Sequence, residues 1–107
     1  MKKNVKICPI DYSIDLLSKK WTLPIIYALV KKSPKRFKEL EREITGISPN
    51  ILSTRLKELE FNHLIEREVF PTIPPTVEYG LTEHANGLKS VFNELENFGL
   101  YHQKIKQ

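Results

Sequence analysis

The spacing of apolar residues changes character along the chain. Up to about residue 60, apolar residues recur at intervals of three and four. From residue 64 to residue 81 they alternate imperfectly with polar residues, and helical spacing returns after residue 82. Intervals of three and four place side chains on one face of a helix, whereas alternation places them on one face of a strand. The pattern therefore predicts a mainly α fold with a small β-hairpin.

The stretch from Ile47 to Glu60 has the start signal of a helix and two distinct faces. Ser48 suits the N-cap because its hydroxyl can accept a bond from a free amide, and Pro49 suits the first position because it has no amide hydrogen to lose. From Ser48 to Lys57 there are two positive charges and no negative charge. Such a helix suits the major groove of DNA, although an ordinary surface helix has the same pattern. Leu52, Leu56 and Leu59 form the predicted buried stripe, and Asn50, Ser53, Thr54 and Lys57 form the polar face, with Arg55 at its edge.

Three shorter helices are predicted before this one. Pro9 disfavours helix at Cys8, so Cys8 should be extended and Asp11 can cap the first helix. The second and third helices are predicted over about residues 21–32 and 38–44. Gly46 can supply the left-handed residue of a tight turn. The third and fourth helices therefore form a predicted helix-turn-helix.

A hairpin with a stiff loop follows the helix-turn-helix. The two predicted strands, at about residues 64–70 and 76–81, flank Pro71-Thr72-Ile73-Pro74-Pro75, and three prolines in five residues exclude a tight two-residue turn. This order of elements is that of a winged helix. The wing tip is expected along the DNA backbone or in the minor groove, with Arg67 and Thr72 as contacts.

The last helix is predicted over about residues 83–104, with Thr82 as its N-cap and Glu83 in its first turn. Its apolar stripe is wide for a terminal helix on a small domain, and a stripe of this width requires a covering surface. We expect it to pack against the first helix and across a two-fold axis. The predicted dimer interface consists of Ile14, Leu17, Leu88, Val91, Phe92, Leu95, Phe98 and Tyr101.

Composition indicates a soluble protein of one domain over residues 1–107, with a short tail over about residues 1–8. Apolar residues make up 40% of the 107 residues and charged residues 28%, and no apolar run is long enough to span a membrane. No signal peptide is indicated. The single cysteine cannot form a disulfide within the chain, which fits a reducing cytoplasm.

Basic charge is concentrated in the first third of the chain. Residues 1–38 contain ten Lys/Arg and two acidic residues, whereas the remainder contains seven and eleven. This asymmetry favours a polyanionic partner. A membrane surface is disfavoured because no helix joins a basic face to bulky exposed apolar residues. Lys35 and Arg36 lie in a basic turn that is either a phosphate clamp or a solvated loop.

Other chemistries have little support. Cys8 with His63, His84 or His102 has no spacing typical of a catalytic pair or a metal site, so we expect no enzyme activity, metal or cofactor. A winged helix that binds proteins instead of DNA remains the alternative. Its DNA affinity would depend little on salt, which separates the two hypotheses.

Short motifs spread from Cys8 to Gly99 together resemble the HxlR family of bacterial winged-helix transcriptional regulators. The resemblance implies a cytoplasmic repressor or activator, a homodimer built from the first and last helices, and recognition helices in successive major grooves of double-stranded DNA. It also implies an oxidant or small-molecule effector as a candidate partner, since some members sense electrophiles or oxidants through a cysteine placed as Cys8 is here. The motifs are Cys8-Pro9, Lys20-Trp21-Thr22, Arg36-Phe37-Lys38-Glu39-Leu40, Gly46-Ile47-Ser48-Pro49, Leu52-Ser53, Arg55-Leu56, Leu59-Glu60, Leu64-Ile65-Glu66-Arg67, Pro74-Pro75, Val77-Glu78-Tyr79 and Leu81-Thr82.

Two departures from the family pattern matter. Phe61-Asn62-His63 replaces a stretch that more often carries acidic residues and glycine, so the turn into the wing is expected to differ. The absence of a second cysteine excludes sensing by an intrachain disulfide. Cys8 itself, preceded by lysines and followed by a helix, has the setting of a reactive thiol. The alternative is a small apolar residue packed beside the first helix.

The predicted DNA contacts divide into two groups. Residues near base edges give sequence preference, whereas residues at phosphates give affinity. For Arg55 an intrahelical pair with Glu58 is the alternative. The predicted base readers are Asn50, Ser53, Thr54 and Arg55, and the predicted phosphate contacts are Lys35, Arg36, Ser48 at the start of the helix before Pro49, Lys57 and the wing residues Arg67 and Thr72.

Overall fold

A computed structural model of the chain describes residues 7–107 and has the predicted winged-helix architecture. The described part of the chain contains five α-helices and a two-stranded antiparallel sheet, which packs mainly against α2, α3 and α4. Residues 1–6 of the tail predicted over about residues 1–8 lie outside the described residues. The elements are α1 (Pro9–Leu17), α2 (Thr22–Lys31), α3 (Phe37–Glu43), α4 (Pro49–Phe61), β1 (Ile65–Phe70), β2 (Thr76–Leu81), a 3₁₀ turn (His84–Gly87) and α5 (Leu88–Lys106).

The core lies between α2, α3, α4 and the base of the hairpin. Ile25 and Ile26 of α2 and Leu40 of α3 are fully buried. The stripe predicted on α4 is confirmed, because all three of its leucines are buried. Burial of such side chains is the main term that holds a domain of this size together. It also fixes which face of α4 points outward.

The start of α4 follows the predicted local chemistry, whereas the start of α1 does not. The Ile51 amide donates to the Ser48 hydroxyl at 3.2 Å, and Pro49 is the first helical residue. Cys8 is extended as predicted, but α1 already begins at Pro9, and Asp11 makes no cap. The fixed φ of proline suits the first helical position, so the helix starts two residues before the predicted cap.

A third segment of backbone pairs with the outer edge of strand β2. Arg67 of β1 lies opposite Tyr79 of β2. Tyr79 also exchanges both backbone hydrogen bonds with Lys35, at 2.9 and 2.8 Å. The segment before α3 therefore forms a single-residue third strand, which ties the wing to the helix-turn-helix. Gly46 has φ of +89° in the turn before α4, as predicted.

The turn from α4 into the wing uses histidine where glycine is the usual residue. His63 has φ of +60°. The Leu64 amide donates to the Leu59 carbonyl at 2.9 Å, and the His63 amide donates to the Glu60 carbonyl at 3.0 Å. This pair of bonds is the Schellman motif, with buried Leu64 and Leu59 as its apolar contact. The turn into the wing therefore differs from the family pattern in having histidine at its left-handed position, whereas its hydrogen bonds are the usual ones.

Replacing His63 with glycine is expected to stabilise the protein by about 0.5–1 kcal/mol. Glycine removes the cost of about 1–2 kcal/mol for a non-glycine residue in the left-handed conformation. It also raises the conformational entropy of the unfolded chain, which offsets part of this gain. Urea unfolding followed by circular dichroism measures the difference. As a control, His63→Val should lower stability, because β-branched residues disfavour positive φ. A glycine variant less stable than the parent would contradict this account.

The last helix starts later than predicted and is barely covered. Thr82 accepts from the Ala85 amide at 3.3 Å, but this cap serves the 3₁₀ turn, and the α-helix begins only at Leu88. Thr82 also donates to the His63 carbonyl at 2.8 Å, which holds this turn against the wing. Phe92 stacks on Tyr27 of α2, with 5.3 Å between ring centroids. None of the 19 residues of α5 is buried.

Candidate nucleic-acid interface

The outward face of α4 is exposed and polar. Asn50, Thr54 and Lys57 lie along it at intervals of four and three residues, on the side away from the buried leucines. In the structure of residues 7–107, the α4 side chains that hydrogen-bond to protein are those of Arg55 and Glu58. The polar groups of Asn50 and Thr54 are therefore open to an external partner. Ser48 and Pro49 are exposed at the start of this face.

Arg55 is not placed as a base reader. Its Nε donates to the Lys20 carbonyl at 2.9 Å, and its Nη1 lies 3.4 Å from Glu58 Oε1. Only 18% of its side chain is exposed. The sequence alternative, a pair with Glu58, is confirmed, and the bond to Lys20 is additional. The predicted contact with base edges is corrected because the guanidinium is committed to the protein.

Lys35 is also wrongly predicted. It is 6% exposed, and its ammonium pairs with the Glu43 carboxylate. Its backbone pairs with Tyr79, which draws the side chain under α3 and away from solvent. A buried ammonium needs a counter-charge, so Lys35 is a structural residue here rather than a phosphate clamp. Arg36, the next residue, is exposed and remains available to an anion.

The wing differs from a basic phosphate-binding loop. Arg67 is half-exposed, and its Nε lies 3.5 Å from Glu60 Oε1. Thr72 donates to the Pro74 carbonyl at 2.7 Å and shares a 2.9 Å hydrogen bond with Thr76, so its hydroxyl closes the loop. The hairpin holds one arginine and three glutamates. Charge therefore disfavours the wing strands as a phosphate clamp.

A cleft of about 300 Å³ separates α4 from the wing. Ser53 and Lys57 line it on one side, and Arg67 and Tyr79 on the other. Burial raises the pKa of Tyr79, partly opposed by the nearby Arg67 charge. Tyr79 is therefore a neutral hydrogen-bonding group at neutral pH. Ser53 is half-buried at this cleft, on the flank of the outward face instead of at its centre.

Three exposed apolar residues on this surface were absent from the sequence prediction. Phe61 is 82% exposed and continues the line of Asn50, Thr54 and Lys57 by one helical turn. Ile51 lies on the other flank of α4 and is 37% exposed, and Ile73 at the wing tip is fully exposed. Counting helical positions from Asn50 would have found Phe61. Exposed apolar side chains of this kind suit contacts with thymine methyls or groove walls.

Most of the described basic side chains in the first third of the chain lie on the surface. Lys31, Lys32, Arg36 and Lys38 are all exposed. Glu39, whose pKa is lowered mainly by the hydrogen bond from the Arg36 amide at 2.8 Å and further by neighbouring lysines, stays ionised at the start of α3. Exposed Lys38 and half-buried Glu41 are 4.0 Å apart, and such a pair at the surface has little energetic weight. The surface around α3 therefore keeps a positive balance.

A second surface, formed by α1 and α5, is apolar. An open groove of about 650 Å³ runs between the two helices, lined by Ile10, Ile14 and Leu95 among others. Of the predicted dimer residues, Leu17, Leu88 and Phe92 pack against the core of their own chain. The remaining predicted residues, Ile14, Val91, Leu95, Phe98 and Tyr101, are exposed, and Ile105 extends their stripe.

Cys8 lies at the edge of this apolar surface. It is exposed and forms the N-cap of α1, and its carbonyl accepts from the Tyr12 amide at 2.9 Å. The alternative of a packed apolar residue is therefore wrong for the single chain. Among residues 7–107, no cluster of three or more His, Cys, Asp or Glu side chains could hold a metal ion. No helix in that range could cross a membrane.

Comparison with known proteins places these features in a family. The model of the HxlR-like helix-turn-helix family matches residues 16–107. An uncharacterized HTH-type transcriptional regulator of Halalkalibacterium halodurans is 43% identical over 101 residues, which cover 94% of this chain and 89% of the relative. The HTH-type transcriptional regulator YodB of Bacillus subtilis is 44% identical over 91 residues, covering 84% of this chain and 80% of YodB.

Solved structures agree with the sequence comparison. The reduced form of YodB has a TM-score of 0.76 and 42% identity, covering 87% of this chain and 91% of its own. YodB has also been solved after diamide treatment and with bound quinone. The redox regulator HypR in its oxidized form has a TM-score of 0.79 and 32% identity, covering 88% of this chain and 96% of its own.

Proposed function

The chain belongs to the HxlR-like helix-turn-helix family of DNA-binding transcriptional regulators, and on that premise we propose that it acts as a homodimer on paired half-sites of double-stranded DNA. In the proposal, α4 of each subunit enters a major groove. Related helix-turn-helix dimers place their half-sites one turn of DNA apart. The place of action would be the cytoplasm, where the chromosome is accessible.

The observation that carries the proposed DNA contact is the outward face of α4. Its residues Asn50 and Thr54 are exposed and have polar groups open to a partner, while the opposite face is buried. Asn50 suits adenine, and Thr54 suits either base edge or a thymine methyl. Ser53 is a flanking base contact, and Lys57 would hold a phosphate. Further phosphate contacts are proposed for Arg36, Ser48 and the backbone around Pro49, and a contact at the wing base for Arg67.

The observation that supports a dimer is the uncovered state of α5. A helix of 19 residues is about 28 Å long, and here none of its residues is buried. Four large apolar residues, Val91, Leu95, Phe98 and Ile105, lie along one side of it and are about half exposed or more. A contiguous apolar stripe of this kind marks an interface. A second copy, with the same stripe related by a two-fold axis, would cover it symmetrically.

We further propose that Cys8 makes the regulator responsive to oxidants or electrophiles. YodB has been solved in reduced, diamide-treated and quinone-bound forms, and HypR in an oxidized form. Cys8 is exposed and begins α1, one of the two helices that line the apolar groove. A bulky or cross-linked group there would change how α1 meets the second subunit. The spacing of the two α4 helices would change with it.

Selection of bound fragments from the source genome by the purified protein tests the proposed function and yields an operator. Binding to that fragment is then measured at several salt concentrations beside a duplex of unrelated sequence. The proposal expects preference for the selected fragment and steep salt dependence on both duplexes. No preference, or affinity that barely depends on salt, would instead favour a winged helix that binds proteins.

Replacing Lys57 with alanine is expected to weaken binding to both duplexes and to leave the ratio of their affinities unchanged. Loss of one phosphate contact should reduce the slope of log K against log salt by about 0.9. Fluorescence anisotropy over a salt series measures both quantities. Lys104→Ala, which removes the same charge near the end of α5, serves as the control. Equal slopes for the Lys57 and Lys104 variants would rule out the phosphate role of Lys57.

A further inference from the structure

The turn between α1 and α2 contains a strained residue. Trp21 has φ of 78° and ψ of −12°, a left-handed conformation that costs a bulky residue about 1–2 kcal/mol. The Thr22 amide donates to the Lys19 carbonyl at 3.0 Å and closes the turn. Such a conformation persists only where the surrounding structure holds it.

Helix α4 holds the turn at two points. Arg55 Nε donates to the Lys20 carbonyl at 2.9 Å, and Lys19 Nζ lies 3.1 Å from Glu58 Oε2. Glu58 also pairs with Arg55, at 3.4 Å between Oε1 and Nη1. The two α4 residues and the turn thus form one polar network. It is distinct from the outward face of α4.

On its far side, this turn lies near the turn that precedes α4. The Trp21 ring lies 3.7 Å from the position that a Cβ atom would occupy on Gly46. Gly46 itself belongs to the turn that leads into α4. The α1–α2 turn therefore contacts α4 through polar groups, and its Trp21 ring lies beside the turn that precedes α4. Displacing the first turn would change the position of both.

We propose that Arg55 is a positioning residue, which sets the place of α4 by joining the Lys20 carbonyl to the Glu58 carboxylate, and that it does so without contacting DNA. The proposal rests on the proposed function of α4 as the DNA reader. Arginine suits the task because its planar fork presents Nε and Nη1 donors at fixed positions. A lysine at this position keeps the positive charge, but its one ammonium group on a flexible chain cannot bond the Lys20 carbonyl and the Glu58 carboxylate in the same geometry.

The network also gives α1 a route to α4. The turn follows directly after the end of α1, and Cys8 lies at the start of the same helix. A displacement of α1 relative to the core helices α2, α3 and α4 would move the Lys20 carbonyl and Lys19. Arg55 and Glu58 would pass that displacement to α4. The positioning role therefore predicts that Arg55 matters to the free protein as well as to its DNA complex.

The test compares Arg55→Lys, Glu58→Gln and the double variant with the parent, on the selected operator fragment and on an unrelated duplex. Each variant is assayed at a temperature where circular dichroism shows it fully folded. Arg55→Lys should lower the ratio of operator to unrelated affinity about tenfold, with the salt slope unchanged. The double variant should be no weaker than Arg55→Lys alone, since both changes break one network. Thr54→Ala, a neighbour on the outward face, is the control and should act independently of Glu58→Gln.

Two readouts separate this role from a direct base contact. The fluorescence of Trp21, the only tryptophan, should change in Arg55→Lys without DNA and stay unchanged in Thr54→Ala. A loss of preference confined to one base pair, or effects of Arg55→Lys and Glu58→Gln that simply multiply, would overturn the proposal. If the parent itself lacks preference for any fragment, the proposed function has failed. The Trp21 signal then still tests the link between Arg55 and the turn.

Discussion

Replacing Leu95 and Phe98 together with glutamate is expected to convert the protein into a monomer and to weaken operator binding at least about a hundredfold. The two side chains are 51% and 64% exposed on one side of α5. Four glutamates in the proposed symmetric interface would have to be desolvated next to one another, which costs far more than the lost apolar contacts. A monomer would keep only one half-site and lose the gain from binding two at once.

Sedimentation equilibrium measures the association, and gel shifts on a full operator and on a single half-site measure the binding. The double variant should bind the two DNAs with similar affinity, whereas the parent should prefer the full operator. Leu100→Glu is the matched control. Leu100 is 56% exposed on the same helix but lies about 200° around it from Phe98. A double variant that stays dimeric would show that α5 is not the interface.

Treatment of the parent with diamide is expected to weaken operator binding about tenfold or more, and Cys8→Ser is expected to bind normally before and after treatment. The magnitude is that of a typical coupling between two sites, about 1–3 kcal/mol. Cys8 is the only cysteine in the chain, so any thiol effect must start there. In the reaction two Cys8 thiols lose two protons and two electrons to diamide and form one disulfide bond. The second thiol belongs to another copy of the chain.

Mass spectrometry under non-reducing conditions identifies the product, and reduction with dithiothreitol should restore binding. A cross-linked dimer requires the two Cys8 Cα atoms to approach within about 7 Å. A quinone, which adds to one thiol without needing a second, tests the response where that approach is not possible. Fully modified protein with the operator affinity of the untreated parent would remove Cys8 from the mechanism.

The elements that were predicted well depend on signals within a few residues. Ser48 and Pro49 specify the start of α4 because the cap and its acceptor lie within one turn. Gly46 specifies the preceding turn for the same local reason. The strands were predicted to within one residue because alternation and the proline loop define both ends. In contrast, local rules did not predict the late start of α5 after a 3₁₀ turn.

The functional roles that were wrong depend on distant partners. Arg55 finds an acceptor 35 residues earlier, at Lys20. Lys35 is buried because its backbone pairs with Tyr79, 44 residues later in the chain, and Glu43 then supplies the counter-charge. Thr72 is the exception, because its partners Pro74 and Thr76 are only two and four residues away, within its own loop. A polar residue on a helix or loop looks available in the sequence until such partners are known.

By itself, the sequence determined the class of fold, the family and the buried and outward faces of α4, because hydrophobic periodicity and capping act through neighbours along the chain. Only the tertiary structure decided which polar side chains on that helix are open to an external partner. It left Asn50 and Thr54 exposed and bound Arg55 to the α1–α2 turn. The physical reason is that a hydrogen bond or ion pair needs two groups within about 3–4 Å, and chain distance does not determine which groups meet.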